Sequence, residues 1–205
     1  MKIENIIKLF DTPSSDIAIK NAFLEIVPKN KREFMIDCII LLLSMFIAYI
    51  ISIRTCTVSI SKEIVGDLNA VVLAIFAIVF TGYTLFQALA DESVLMRMTS
   101  CEKNEKTYLQ ISNDYFLNVM LLNIVAILCN VIALLFLKII PKDFILFSVN
   151  NVNEIISCIL LTAYLFYQLK VIIEIKSFIF NIYQFFNISA GSKIYNMIEN
   201  GKHSE

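Results

Sequence analysis

From Leu68 to Ala90 no residue carries a charge, and about 20 such residues are enough for a helix to cross the hydrocarbon of a bilayer. Three more stretches have the same character. One runs from Phe34 to Ile53, with Asp37 one turn inside its start, and another from Tyr115 to Leu137. The last runs from Ile155 to Ile173 and is interrupted only by Lys170, whose long stem lets the ammonium reach the interface. A small water-soluble core cannot absorb four such stretches. With 58% of 205 residues hydrophobic and a mean hydropathy of +0.75, the expectation is an all-α polytopic membrane protein with four transmembrane helices.

The expected organisation follows from these windows. Residues 1–33 form cytoplasmic amphipathic helices, and 34–182 the transmembrane region, with spans at 34–53, 68–90, 115–137 and 155–173. A cytoplasmic hairpin occupies 91–114, and 183–205 is a cytoplasmic C-terminal segment. Thirteen Lys and Arg fall on the side of the termini and the hairpin, against Arg54, Lys62, Lys138 and Lys142 on the other. The positive-inside rule then puts both termini in the cytoplasm. The external connections, Arg54 to Asp67 and Lys138 to Glu154, are short, and Phe144 to Phe147 within the second is apolar enough to dip into the interface.

The cytoplasmic parts read as helical extensions. Ile3, Ile6, Ile7 and Phe10 share one helical face, and Thr12 to Asp16 reads as a turn and N-cap for a second helix that Pro28 ends. Thr99 to Asn104 reads as the hairpin tip, with the chain leading helically back into the third span. The fourth span continues past the membrane, without Gly or Pro before Gly191. Phe178, Phe180, Tyr183, Phe185 and Phe186 on that continuation require partners from the hairpin, the N-terminal helices or another subunit.

Catalytic constellations do not occur in the sequence. Phosphate-binding glycine loops, the G-x-S-x-G elbow and H-E-x-x-H are all lacking. The centres of the spans carry no ionisable residue, and Asp37 has the ordinary task of capping or of pairing with Lys31 or Arg32. Five scattered cysteines without a C-x-x-C pair, and a single histidine at His203, point to neither a metal centre nor a disulfide framework. The expectation is a protein that is not an enzyme and uses no cofactor.

What remains is polar but neutral. In the second span Ala70, Ala74, Ala77, Thr81, Thr84 and Ala88 recur at three-four spacing, which gathers the small residues on one helical stripe, with Gln87 near the cytoplasmic mouth. Small stripes let helix backbones approach closely. The alternative is a pore: three to five copies around an axis would line it with this stripe, and Gln87 or Asp91 and Glu92 would ring its mouth. Asn123 and Asn130 in the third span lie seven apart, hence on one face, and carboxamides in hydrocarbon require partners. Four helices are too few to enclose a pore and its supporting packing, so a homo-oligomer is expected, with a tetramer as the count.

The layout of a short cytoplasmic N-terminal segment, four spans and a helical cytoplasmic end resembles small membrane subunits of bacterial antiphage defence systems of the Hailong and Kiwa types. The resemblance is one of layout, with no diagnostic motif. It implies an inner-membrane effector or envelope sensor, held silent or triggered by a cytosolic regulatory protein or by a nucleotide ligand. Arg97, Lys103, Lys106, Lys170 and Lys176 would then line a basic pocket for an anionic nucleotide or oligonucleotide, although positive-inside flanking accounts for all five without one. Two functions stand side by side: an oligomeric channel or pore-forming effector gated from the cytoplasmic side, and a non-conducting membrane anchor or sensor that docks a cytosolic partner.

Overall fold

Helix follows helix along the chain wherever apolar residues run on without a breaker. The computed structural model describes residues 14–54, 57–103, 106–141, 144 and 150–202, and about 90% of these are helical. In order they form α1 (Ser15–Ile26), α2 (Lys31–Ser52), α3 (Thr57–Leu89), α4 (Glu92–Ser100), β1 (Glu102–Lys103), β2 (Lys106–Thr107), α5 (Tyr108–Ile139) and α6 (Asn150–Lys202). Four helices, α2, α3, α5 and α6, are long and apolar enough to cross a membrane.

Local chemistry sets the helix starts. Asn30, in extended conformation, precedes α2, and Glu33 reaches back to accept the Lys29 backbone N–H at 2.7 Å. Asp91 caps α4, its Oδ1 accepting from the Val94 N–H at 3.0 Å and from the Ser93 hydroxyl at 2.8 Å. Thr107 and Gln110 form a reciprocal capping box at the head of α5: the Gln110 N–H donates to Thr107 Oγ1 at 3.2 Å, and the Thr107 N–H donates to Gln110 Oε1 at 3.0 Å.

Several expectations are corrected. The stretch Arg54 to Asp67 is mostly helix, because α3 begins at Thr57 and carries Lys62, Glu63 and Asp67 on its exposed side. Between α4 and α5 the chain forms a two-stranded antiparallel ribbon, pairing Glu102 with Thr107 and Lys103 with Lys106, and the helical lead into the third span begins only at Tyr108. The helical continuation of the fourth span extends further than Gly191, since α6 runs unbroken to Lys202. Its 53 residues amount to roughly 80 Å of helix at about 1.5 Å per residue. The expected helix bearing Ile3 to Phe10, the apolar Ile145 to Phe147 and the hairpin tip at Asn104 lie outside the described residues.

The described residues divide into two units. The first takes in residues up to Ala22, Ala77–Leu121 and Ile175 onward. Its core is aromatic. The Phe86 ring lies 4.4 Å from that of Phe185 and 4.9 Å from that of Phe116, and Phe116 meets Phe178 edge-on at 5.7 Å. Gly82 lies against Phe178, and a Cβ there would collide with the ring. The second unit comprises Phe23–Phe76 and Leu122–Glu174. Small residues Ser44 and Ala48 of α2 are wholly buried in it, as are Asn130 and Gln168.

Candidate functional site

Two features of the spanning helices carry polar chemistry: the stripe on α3, and a cluster of carboxamides and charges in the second unit. In the apolar run of α3 the buried residues are Val72, Ile75, Val79, Gly82 and Phe86, whereas the bulky Leu73, Ile78, Phe80 and Leu85 are exposed. Ala70, Ala74, Ala77, Thr81, Thr84, Gln87 and Ala88 are all exposed. Among the described residues the stripe is thus left largely uncovered. Its hydroxyls are turned onto the helix backbone: Thr81 donates to the Ala77 carbonyl at 2.8 Å, and Thr84 donates to the carbonyls of Phe80 at 3.0 Å and Thr81 at 2.8 Å. Such local bonds satisfy the hydroxyl donors within the helix itself. Beside the stripe lies an apolar groove of about 390 Å³, between Ala77, Thr81 and Leu85 of α3 and Phe178, Ile179 and Ile182 of α6.

The second feature is built on α2, α5 and α6. Asn130 Oδ1 accepts from the Tyr164 hydroxyl at 2.8 Å and from Gln168 Nε2 at 2.7 Å. One turn before Lys170, Tyr167 donates to the Leu122 carbonyl at 3.1 Å, and its ring stacks on Phe23 with centroids 6.1 Å apart. Lys170 Nζ donates to Asp37 Oδ1 at 2.5 Å, and each side chain is 14% exposed. This corrects the expected partner of Asp37, which is neither Lys31 nor Arg32. A side chain from α6, 133 positions away, reaches it because an ammonium in a low-dielectric setting is far better placed beside a carboxylate than alone. The other intramembrane candidate, Asn123, is buried as well, at 1% exposure.

The five basic residues are divided between the two units. Lys170 belongs to the second unit and is held by Asp37. The rest are in the first unit, where Lys106 pairs with Asp114 at 2.6 Å and the Arg97 guanidinium sits 4.7 Å above the Tyr195 ring. Lys103 and Lys176 are exposed. Among the aromatic residues of α6, Phe178 and Phe185 find partners within the chain, whereas Phe180, Tyr183 and Phe186 stay exposed. Sequence reasoning marked Asp37 as a pairing group but did not join it to Lys170, nor Tyr164 and Gln168 to Asn130, nor Tyr167 to the Leu122 carbonyl. Only their position in or beside apolar spans could have suggested them.

Comparison with known proteins gives no match: no family model, curated sequence or solved structure is similar to the chain. The class of protein is therefore defined by the fold itself, a helical chain with four candidate membrane spans.

Proposed function

We propose that the chain is one subunit of a homo-oligomeric channel, a tetramer, in the bacterial inner membrane, with α3 of each copy turned toward a shared axis and gating from the cytoplasmic side. The supporting observation is that the small and hydroxyl-bearing stripe of α3 is exposed along its length, flanked by exposed Leu73, Ile78, Phe80 and Leu85, while Val72, Ile75, Val79 and Phe86 are buried. Lipid can cover alanines, yet it offers no hydrogen-bond partner to the Gln87 carboxamide, whereas a neighbouring subunit or a water-filled path does. With both termini cytoplasmic, as the distribution of Lys and Arg favours, Gln87 and the following Asp91 and Glu92 would ring the inner mouth and favour cations. The layout shared with membrane subunits of antiphage systems makes the biological role in this proposal that of an antiviral effector. Its trigger would be a cytosolic regulatory protein or an anionic nucleotide, for which Lys103 and Lys176 are exposed bases.

A second reading, a membrane anchor that docks a cytosolic partner, draws on a different observation. Phe180, Tyr183, Phe186, Ile194 and Met197 form exposed apolar surface on the far part of α6. Flux measurements on the full chain reconstituted in liposomes separate the two. A channel lined by α3 passes ions, loses the flux on Thr84→Trp, and keeps it on Ile132→Trp, an exposed position of α5. A chain that passes no ions with or without cytosolic extract, yet retains a soluble protein through the α6 surface, is the anchor.

A further inference from the structure

Asn130 and Gln168 are both 0% exposed, and the bonds they make leave polar atoms over. Asn130 Oδ1 takes two donors, from Tyr164 and Gln168. Asn130 Nδ2 and Gln168 Oε1 are buried and have no protein partner. One is a donor and the other an acceptor, and each is attached to the same carbon as an atom of the bond that joins the two side chains. Turning both carboxamides over exchanges the names but not the count. Asn130 Nδ2 would then donate to Gln168 Oε1, and an oxygen of one residue and an amino group of the other would be left. A single hydroxyl, that of Tyr164, cannot close both vacant valences in either arrangement. An unsatisfied buried polar atom costs about 1–3 kcal/mol, and such atoms in folded proteins almost always have a partner, frequently an internal water.

We propose that the Asn130–Gln168 carboxamide pair is a binding site for a small uncharged molecule that accepts one hydrogen bond and donates another, and that its occupant is a water molecule. The chemistry selects the class. A cation would gain Gln168 Oε1 but would be repelled by the partial positive charge of the Asn130 amino group, and an anion would meet the reverse conflict at Gln168. Water can accept from the Asn130 amino group and donate to Gln168 Oε1, and it matches the one donor and one acceptor left over in either turn of the carboxamides. The site lies on the same stretch of α5 and α6 as Asn123 and Tyr167. It does not depend on the channel reading, because every group it uses belongs to one chain.

The test is water-edited solid-state NMR on the full chain, labelled with 15N, in deuterated phospholipid bilayers. The carboxamide signals are assigned through Asn130→Leu and Gln168→Met. In the unsubstituted chain, magnetisation from water is expected to reach the Asn130 carboxamide rapidly, while the backbone amide of Ala126, also 0% exposed, receives none on that timescale. Gln168→Met removes the acceptor and should abolish the transfer to Asn130. A dry Asn130 carboxamide in the unsubstituted chain overturns the proposal. So does equal transfer to Ala126, which would mean that the helices are generally wetted and hold no discrete site.

Discussion

The two units share α1, α3, α5 and α6 but close their cores with opposite chemistry. In one, Phe86, Phe116, Phe178 and Phe185 interlock as rings. In the other, Asn130, Tyr164 and Gln168 share hydrogen bonds, and Asp37 meets Lys170. The difference lies in what each kind of contact can specify. An apolar ring contact can be replaced by other apolar contacts of similar volume, so ring packing specifies register only weakly. A carboxamide or an ion pair has no substitute in hydrocarbon and fixes one register of helix against helix. The aromatic core should thus tolerate changes of shape that keep its volume, and the polar core should tolerate only changes that remove both partners together.

The largest effects should come from breaking one side of a polar contact. Lys170→Met leaves the Asp37 carboxylate without its ammonium and should cost about 3–5 kcal/mol, read by reversible unfolding in mixed micelles. Adding Asp37→Asn should recover most of that loss. Phe86→Ala, at 1% exposure, should cost about 3–5 kcal/mol without any second-site rescue, whereas Phe180→Ala on the exposed side should stay within about 0.5 kcal/mol. Single replacement of Asn130 by Leu or of Gln168 by Met should cost about 1–3 kcal/mol, with the double replacement less harmful than either. If the double variant is the worst of the three, the polar core is no different in kind from the aromatic one. Gly82→Val should force the Phe178 ring aside at about 1–3 kcal/mol.

The smallest effect lies outside both cores. The Val94 backbone N–H holds the Asp91 carboxyl below the usual range, with the Ser93 hydroxyl adding to the effect. A lowered value in the folded state means that the cap stabilises α4 above the ordinary carboxylate pKa of about 3.9. That contribution fades as pH falls through the lowered value. Amide exchange in α4 should speed up over that acid window and become independent of it in Asp91→Asn.

The four spans were legible because charge-free windows of sufficient length are rare in any other kind of chain. Their ends were less so. Lys62, Glu63 and Asp67 looked like a loop, although a helix tolerates charges on an exposed face and no proline intervenes before α3 enters its apolar run. The box formed by Thr107 and Gln110 was readable as T-x-x-Q, yet the surrounding Glu and Lys residues, good helix formers, concealed the short ribbon before it. The bond between Asp37 and Lys170 had no local signature, because residues 133 apart meet only through the fold. The stripe shows the limit most clearly. Spacing placed Ala70 to Ala88 on one face, but whether that face turns into the chain depends on which side has the bulk to fill a core, and Val72, Val79 and Phe86 fill it.

The outward orientation of that stripe carries the functional proposal, and cysteine accessibility along α3 tests it most directly. In a background with the five native cysteines replaced, single cysteines at positions 74, 77, 81, 84 and 88 would meet a membrane-impermeant thiol reagent, with positions 73, 78 and 85 as exposed bulky controls. Labelling at the first set and not at the second, with the three-four spacing, is the expected result for a stripe lining a water-filled axis. Protection along the whole stripe in the assembled protein, under conditions that include the cytosolic trigger, would contradict it and make that face a surface for packing or lipid.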